Sequence, residues 1–556
     1  MMHRIPPQPE QSIITLHRIH KFFVVFLFLI ALIARILPGP RTIDDSYITY
    51  RYARNILAGN GFVYNPEERV LGTTTPFYTI LLTALGAISG GEDAPFPTIA
   101  LYINAFADGM VCILLYLLGR KLKAPIAGFG AGLAWAVAPY SVTFSIGGLE
   151  TSVFVLLIVS IMYCYLIGRY LPAAFLSALA LLTRPDALLL IGPLALDRLI
   201  QYSRQFWPRQ NNYPEELSAI QKRNPNVRQM IGEICVFIIP LLLWGIFSVT
   251  YFGNPIPHSI AAKSVAYQLS ADAAFIRLIQ HYATPFMDNL TFGAYGIGIG
   301  LVLYPFLYLV GTSHSLRFTF RIWPFLLYPW LYFLVYSIAN PLIFRWYLTP
   351  PLTALFLIIL IGADQTIQIF IKWAGSKRIK QPPHSTSTIA SGISLVFVVI
   401  LPCLLLLRGW TLYPDHGLSR PAPLMAWYQL ELLYQQAADQ LKEDIDNRDS
   451  QPLLAAGDVG VLGYFTGMRI LDTVGLNSPQ SVKYYPADPS YYVINYAIPP
   501  DLILDMKPDL IVILEIYGRG GLITDNRFQD SYLLRHKIPA DIYGSDGMLI
   551  FERVQK

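Results

Sequence analysis

The chain has 556 residues, of which 54% are hydrophobic and 14% are charged, and its mean hydropathy is +0.45. Soluble domains contain roughly 25% charged residues, so this composition excludes a soluble globular protein and predicts a polytopic membrane protein. The net charge of +5 is too small to indicate nucleic-acid binding, and the positions of the positive charges are more informative than their number.

Apolar segments recur along the chain, and a helix needs about 20 such residues to cross roughly 30 Å of hydrocarbon. We predict eleven spans, near residues 22–38, 98–118, 125–144, 149–168, 171–184, 186–200, 231–251, 292–312, 322–339, 346–369 and 388–410. No small-residue cleavage site follows the first segment, so we expect a retained span rather than a signal peptide. The segments 171–184 and 186–200 are short and are predicted to meet in a tight turn.

The basic residues support one orientation of these spans. With the N-terminus in the cytoplasm, the basic connections all fall on the cytoplasmic side, as the positive-inside rule requires. These connections contain Arg120, Lys121, Lys123, Arg169, the loop 201–230, Arg317, Arg321, Lys372, Lys377, Arg378 and Lys380. We therefore expect a multi-pass protein of the plasma (inner) membrane with a cytoplasmic N-terminus and an extracytoplasmic C-terminal domain.

The chain divides by composition into a membrane body, residues 1–410, and a less apolar tail, residues 411–556. In the tail, "PLLAAGDVGVLGYFTGMRILDT" is typical of strand, short helix and strand, and "KPDLIVILE" and "DGMLIFERV" of further strands. This pattern predicts an extracytoplasmic α/β domain. Gly457, Gly460 and Gly463 lack the central glycine of a dinucleotide motif, so we interpret them as turn residues and expect no nucleotide cofactor.

The loop between the first two spans, residues 39–97, is long for a simple connection. It opens with "DDSYITYRYARNIL", in which Asp44 or Asp45 is expected to cap a helix along the membrane surface. The spacing of Tyr47, Arg51 and Arg54 places them on one helix face. The positive end of the helix dipole would keep a carboxylate ionised, as a general base requires, although an aspartate at this position is also common as a plain cap.

Further polar residues recur at the predicted outer ends of the spans. They are Glu150 in "GGLETS", Arg184 and Asp186 in "LTRPDALLL", His258 and Lys263 in "YFGNPIPHSIAAK", and Arg345 and Tyr347 in "FRWYLTPP". Ionisable groups at membrane depth are costly unless they pair or face a cavity, so we predict one shared outer-leaflet cavity. Asp108, in the middle of the second span, does not fit this cavity and is expected to pair with a partner that the sequence does not identify.

Carboxylates and cations in one cavity below the outer headgroups suit a lipid-linked phosphosugar. Arginine and lysine side chains would hold the phosphate, and a carboxylate would take the proton from an acceptor hydroxyl. The same cations would stabilise the charge of the departing polyprenyl phosphate.

At these residues the chain resembles a known family. The run "DDSYITYRYARNILAGNGFVYNPEERVLGTTTPFYTILL" resembles the first extracytoplasmic loop of the GT-C class of integral-membrane glycosyltransferases. It is most similar to the group of the mycobacterial terminal arabinofuranosyltransferases, and more distantly similar to the protein O-mannosyltransferases and the lipid A aminoarabinose transferases. The segments "GGLETSVFVLL", "LTRPDALLL", "YFGNPIPHSIAAK", "FRWYLTPP" and "GDVGVLGYFTGMRILDTVGLNSP" follow in the same order as in that group.

The resemblance implies a GT-C fold of about eleven transmembrane helices with the C-terminal α/β domain. It also implies a polyprenyl-phosphate sugar donor, a glycan, lipid or protein acceptor, and single-step displacement with inversion at the anomeric carbon. The family's catalytic base carries over to Asp44 or Asp45, and we favour Asp44 because it lies farther from the helix body. Arg51, Arg54, Glu150, Arg184, His258, Lys263, Arg345 and Tyr347 are the expected donor-phosphate and substrate residues.

The resemblance requires no cofactor, and we assign no metal ligands, although a divalent cation near the loop carboxylates stays compatible with it. The segment "NPEERVLGTTTP" lacks the glycine after proline and the "EGxTxP" run of the family. The loop geometry and the acceptor are therefore left open.

Other functions are compatible with the same segments. A transporter or flippase of lipid-linked saccharides would explain the spans and the cavity, but not the large external domain or the paired aspartates. A ligase or polymerase that moves whole oligosaccharides is the nearer alternative. A non-catalytic membrane subunit would tolerate exchange of the loop carboxylates.

Overall fold

The computed structural model describes residues 9–206, 227–287, 293–377, 390–413, 420–423, 425, 428–445 and 452–554. Within these ranges a helical body is followed by a C-terminal domain built on a sheet. Most of the predicted basic loop 201–230, together with Arg378 and Lys380, lies outside the described residues.

The helices of the body follow the apolar segments. Their bounds are Pro9–Ile36, Asp44–Leu57, Pro76–Ile88, Phe96–Lys121, Pro125–Val137, Pro139–Ile146, Thr151–Leu166, Tyr170–Thr183, Leu188–Phe206, Val227–Phe252, His258–Ala266, Ala273–Ala283, Gly293–Phe318, Trp323–Ala339, Leu352–Lys377 and Ala390–Leu407. Several begin at a proline, whose missing N–H and fixed φ suit the first helical position. Pro139 also explains the 46° bend between Pro125–Val137 and Pro139–Ile146, because it cannot continue the preceding helix.

The described residues contain six helices that are long and apolar enough to cross a membrane, or seven if the bent pair is one span. The predicted segments 22–38, 149–168, 171–184 and 186–200 are also helical, two of them as shorter helices of 16 and 14 residues. The chain is a multi-pass membrane protein. The number of eleven spans, the boundary at residue 410 and the orientation stay predictions.

Asp108 is fully buried in the second predicted span, and the structure supplies its missing partner. Its carboxylate accepts hydrogen bonds from Arg35 Nε at 2.8 Å, Trp135 Nε1 at 2.9 Å and Ser152 Oγ at 2.8 Å. The Arg35 guanidinium donates further bonds to the Ala136 carbonyl and to Ser141. This buried network joins the first, second and third predicted spans to the start of the fourth.

The C-terminal domain contains two sheets. A two-stranded antiparallel ribbon pairs β1 with β2, and a five-stranded sheet has the order β4-β3-β5-β7-β6. The strands are β1 Trp410–Tyr413, β2 Arg420–Pro423, β3 Leu453–Ala456, β4 Arg469–Asp472, β5 Leu510–Leu514, β6 Tyr532–Ile538 and β7 Met548–Arg553. The domain helices are Tyr428–Ile445, Gly460–Thr466, Pro500–Met506, Glu515–Gly518 and Asn526–Gln529.

Within the larger sheet, β3 is parallel to both of its neighbours, β4 and β5, whereas β7 is antiparallel to β5 and β6. The register pairs Ala456 with Asp472 and with Val512. The predicted strand, short helix and strand of residues 453–472 and the two later strands are confirmed as elements of an α/β domain.

The domain packs directly on the first loop of the membrane body. Buried residues from the first helix through the last strand form one continuous hydrophobic cluster. The helix Asp44–Leu57, here called the loop helix, lies at this contact with eight of its side chains buried. The C-terminal domain therefore covers this helix, and its position along the membrane surface stays a prediction.

Candidate active site

The loop helix begins at Asp44, with the backbone of Ile43 in the N-cap position and no side-chain cap. The prediction that Asp44 or Asp45 caps this helix is therefore wrong, because both aspartates lie in its first turn. They remain at its positive end, where the dipole favours an ionised carboxylate.

Asp44 instead binds the C-terminal domain. Its Oδ2 accepts the Gly460 N–H at 2.9 Å and its Oδ1 accepts the Val461 N–H at 2.7 Å. Burial and the nearby Asp458 raise the pKa of Asp44 well above its ordinary value, against the lowering effect of these two N–H donors. Both oxygens of Asp44 are thus committed to the start of the helix Gly460–Thr466.

Asp45 faces a different environment and is partly exposed. No hydrogen bond to its carboxylate is present among the described residues. It interacts electrostatically with Asp458, Lys263 and Tyr267. We call Asp45, Asp458, Lys263 and Tyr267 together the seam site, because they lie between the membrane body and the C-terminal domain.

Lys263 supplies the cation of the seam site. Its Nζ lies 5.3 Å from the centroid of the Phe344 ring, and within the described chain it makes no hydrogen bond or ion pair. Burial lowers the pKa of Lys263, but Tyr347, Asp45 and Glu150 outweigh this effect, so the net pKa is raised. The ammonium therefore stays protonated and available to an anionic ligand.

A second polar group lies beside the seam site and is internally paired. Arg184 donates to Asp186 at 3.0 Å and to Glu150 at 3.1 Å. Its guanidinium carbon lies 4.9 Å from the centroid of the Tyr347 ring. The structure thus brings together Glu150, Arg184, Asp186 and Tyr347, four of the residues predicted to share the outer-leaflet cavity.

Arg345 and His258 occupy separate positions around this region. Arg345 interacts electrostatically with Tyr543 of the C-terminal domain. The His258 backbone N–H donates to the Leu71 carbonyl at 2.8 Å, and its buried Nε2 has no hydrogen-bond partner. Burial lowers the pKa of His258, so the ring is neutral near pH 7. No described contact joins His258 to the seam site.

Arg51 and Arg54 do not fit the expected donor-phosphate role. Arg51 is buried and donates to the carbonyls of Tyr64 and Met468 at 2.8 and 2.7 Å. Arg54 donates to the Tyr464 carbonyl at 2.6 Å and lies over the Tyr464 ring. Both side chains instead fasten the loop helix to the C-terminal domain, because their N–H groups are directed at its backbone.

Two features of this contact escaped the sequence interpretation. Asp458, in "GDVG", enters the seam site from the C-terminal domain. In addition, a Cβ atom on Gly460 would collide with the Asp44 carbonyl oxygen, and one on Gly463 would collide with the Tyr64 hydroxyl. These two glycines therefore permit close packing rather than turns, and their spacing of three residues on a short helix is the signal in the sequence.

Among the described residues no group of three or more histidine, cysteine, aspartate or glutamate side chains is arranged to hold a metal ion. The carboxylates within the seam site itself are those of Asp45 and Asp458, with Asp44 adjacent to them.

Parts of this chain are similar in sequence to known proteins. Residues 425–551 match a domain of unknown function, DUF8728. A terminal β-(1→2)-arabinofuranosyltransferase of Mycobacterium tuberculosis is 33% identical over 243 residues. That match spans 40% of this chain and 35% of the relative, so the comparison covers about a third of the relative's length.

Solved structures share the fold over nearly the whole chain. The oligosaccharyltransferase of Archaeoglobus fulgidus matches with a TM-score of 0.53 and 12% identity, over 92% of this chain and 72% of that one. ArnT from Cupriavidus metallidurans matches with a TM-score of 0.50 and 10% identity, over 95% of this chain and 97% of that one. The GT-C fold expected from the sequence resemblance is confirmed by these two matches.

Proposed function

We propose that this protein is a membrane glycosyltransferase that moves a single sugar from a polyprenyl-phosphate donor to an extracytoplasmic acceptor. The observation that carries the proposal is the Asp45 carboxylate, which makes no hydrogen bond within the described chain and interacts with the protonated Lys263. A base for the acceptor and a cation for the leaving phosphate are thereby combined in one site.

In the proposed reaction Asp45 accepts the proton of an acceptor hydroxyl. The acceptor oxygen then attacks the anomeric carbon from the face opposite the phosphate, which inverts that centre. The bond between the anomeric carbon and the phosphate oxygen breaks, and its electron pair leaves with the polyprenyl phosphate. Lys263 stabilises the negative charge on this leaving group.

Asp45 is favoured over Asp44 as the base because its carboxylate makes no hydrogen bond within the described chain, whereas Asp44 holds the C-terminal domain. Both Asp44 oxygens already accept backbone N–H groups, and proton transfer to either would weaken the docking of the C-terminal domain. Our preference therefore differs from the one drawn from the sequence, which favoured Asp44.

The remaining predicted residues would shape the donor side of the site. Arg184 is neutralised by Glu150 and Asp186, so its proposed role is to hold the Tyr347 ring rather than to carry the phosphate charge. Arg345 and Lys263 would carry that charge.

Two comparisons support this chemistry. The name of the mycobacterial relative describes transfer of an arabinofuranosyl group, and one archaeal structural neighbour was determined with dolichol-phosphate bound. We propose that the reaction takes place on the outer face of the plasma membrane, where the seam site lies if the N-terminus is cytoplasmic.

The test uses the full chain in lipid nanodiscs with polyprenyl-phosphate arabinofuranose, mannose, glucose and aminoarabinose as separate donors. The acceptor is a fluorescent oligoarabinofuranoside, and the released polyprenyl phosphate is measured together with the mass of the product. We expect release with at least one donor and a product heavier by one sugar. We also expect Asp45→Asn to lower kcat by about 100-fold or more, with Asp530→Asn as an exposed control.

The results contradict the proposal in distinct ways. A product heavier by several sugars would identify an oligosaccharide ligase. Loss of less than about tenfold in Asp45→Asn would remove Asp45 as the base. Donor release by none of the four lipids would reject a glycosyltransferase of this donor class.

A further inference from the structure

Asp458 lies at a position where α/β domains characteristically bind ligands. The chain leaves β3 and forms β4 on one side of it, then crosses over to form β5 on the other side. Both neighbours are parallel to β3, so their connections diverge at the carboxyl end of that strand. A crevice opens at such a switch point, outside the carboxyl ends of the strands. Asp458 follows the end of β3 by two residues, and Tyr517 follows the end of β5 by three.

The surroundings of Asp458 hold one carboxylate oxygen and leave the other available. Oδ2 accepts the Tyr434 hydroxyl at 2.8 Å and the Tyr517 hydroxyl at 3.5 Å. Oδ1 has no hydrogen bond within the described chain, and the residue is partly exposed. Two tyrosines from separate elements thus fix the orientation of a carboxylate whose second oxygen is open to a ligand.

An aromatic ring completes this position. Tyr543 is 51% exposed and interacts with Asp458 and Arg345. Its backbone has a φ of +56°, which is unusual for a bulky side chain and persists only where the surrounding structure holds it. An exposed ring beside an oriented carboxylate suits a saccharide, since the ring face attracts polarised C–H groups and the carboxylate accepts a hydroxyl in a charge-assisted bond.

We propose that Asp458 of the C-terminal domain binds the acceptor, that the acceptor is a saccharide, and that the free Oδ1 accepts one of its hydroxyl groups beside Asp45. This inference rests on the proposed function and assigns the acceptor to the domain side of the seam site, opposite the donor phosphate at Lys263. The C-terminal domain is then part of the substrate site rather than an appendage to it.

The charge state of Asp458 makes binding of the acceptor saccharide dependent on pH. Burial raises the pKa of Asp458 to about 6, with the Tyr434 hydroxyl lowering it and Asp45 raising it further. The groups that face Asp458 are Asp44 and Asp45 of the loop helix, Tyr267, Tyr434, Asp472, Tyr517 and Tyr543. Protonation of Asp458 removes the negative charge that accepts the hydroxyl group. The affinity for the acceptor saccharide therefore falls as the pH falls through about 6.

The experiment measures acceptor and donor KM from pH 5 to 7.5 in nanodiscs, with the fluorescent oligoarabinofuranoside and the active polyprenyl-phosphate donor. We expect Asp458→Asn to raise acceptor KM about tenfold or more while donor KM stays unchanged. Acceptor KM should rise below about pH 6 in the wild type and be independent of pH in the variant. Asp530→Asn, an exposed change in the same domain, should behave as the wild type.

A second variant distinguishes a direct effect on acceptor binding from a folding defect in Asp458→Asn. Tyr434→Phe keeps the carboxylate and removes the hydroxyl that lowers its pKa, so the rise in acceptor KM should move to higher pH. Binding of the oligosaccharide without donor, measured by fluorescence anisotropy, should weaken in Asp458→Asn to the same extent as acceptor KM.

The outcomes separate this inference from the proposed function. If the wild type transfers sugar and Asp458→Asn keeps the wild-type acceptor KM and pH profile, the inference is overturned while the function stands. A change in donor KM alone, or an unshifted profile in Tyr434→Phe, also overturns it. If no donor releases polyprenyl phosphate but the anisotropy still depends on Asp458, saccharide binding stands and the transferase function fails.

Discussion

At the scale of single residues, the neighbouring Asp44 and Asp45 have different environments because of helix geometry. Successive residues of an α-helix point about 100° apart, so the two adjacent carboxylates point in different directions, although both interact with Asp458. Asp44 turns to the backbone of Gly460 and Val461, and Asp45 turns to Lys263 and Asp458. One side chain binds the C-terminal domain, and the other makes no hydrogen bond within the described chain.

Removal of the Asp44 carboxylate should therefore act on stability. Asp44→Ala leaves two N–H groups at a helix start without their acceptor, which costs about 1–2 kcal/mol. We expect a lower unfolding temperature in a thermal-shift assay on the nanodisc-bound protein. Asp45→Ala is the matched control and should leave the unfolding temperature unchanged. Equal destabilisation by both variants would show that the two carboxylates are not divided in this way.

The Arg35–Asp108 pair gives a second prediction at this scale. Asp108→Asn leaves the fully buried Arg35 without a counter-charge, and loss of one partner of such a pair costs roughly 3–5 kcal/mol. We expect a sharply lower yield of monodisperse protein in detergent size-exclusion chromatography. The double variant Arg35→Met with Asp108→Asn removes the stranded charge and should recover much of the yield. A single variant as stable as the wild type would contradict the role assigned to this network.

At the scale of elements, the loop helix and the segment after it bind the C-terminal domain through its exposed sheet edge. β4 is an edge strand, and edge strands leave backbone groups unpaired. Asn65 meets this need with its side-chain amide, which donates to the Ile470 carbonyl at 2.8 Å and accepts the Ile470 N–H at 3.0 Å. One side chain thus takes the place of a neighbouring strand.

Asn65→Ala should expose this edge. Loss of one backbone hydrogen bond of about 1 kcal/mol corresponds to about fivefold faster amide exchange at Ile470. Hydrogen–deuterium exchange of the peptide that contains β4 measures this effect, with the β7 peptide as the internal reference. Asn60→Ala, which removes only a contact with Asn55, should leave both peptides unchanged. Faster exchange throughout the domain would indicate general destabilisation rather than edge pairing.

The sequence predicted the strands of the C-terminal domain better than it predicted the long-range contacts of the loop helix. Short apolar runs identified β3, β4, β5 and β7, because a buried strand appears in the sequence as consecutive apolar residues. One acceptor of Arg51, the Met468 carbonyl, and both donors to Asp44 lie more than 400 residues away in the chain, and no local pattern records such pairs. Charge in a conspicuous loop therefore indicated a phosphate site for Arg51 and Arg54, although buried carbonyls are what they bind.

At the scale of the whole molecule, polar groups from both halves meet at the seam. The membrane body supplies Asp45 and Lys263, and the C-terminal domain supplies Asp458. The apolar core is continuous across this contact, so the two halves hold these groups in a fixed relation. Sequence composition predicted a helical body and an α/β domain, and the structure contains both, but composition could not show that polar residues of the two meet at one place.

The orientation of the molecule is testable with reporters. An odd number of spans from a cytoplasmic N-terminus places the C-terminus outside, as the distribution of basic loops predicts. Alkaline phosphatase fused after residue 556 should be active, and green fluorescent protein at the same position should be dark. A fusion after Arg169 should show the reverse. A fluorescent C-terminal fusion would place the C-terminus in the cytoplasm and would contradict the predicted orientation.

The separation of Asp44 from its partners has a consequence for synthesis of the protein. Gly460 follows Asp44 by 416 residues, which at roughly 5–20 residues per second is about 20–80 s of translation. During that interval the loop helix has no domain to cover the tyrosines and arginines that are buried in the finished protein. Contacts this distant in the chain form slowly and late. The seam site is therefore assembled only after nearly all of the polypeptide has left the ribosome, so nascent chains pass through most of their insertion without it.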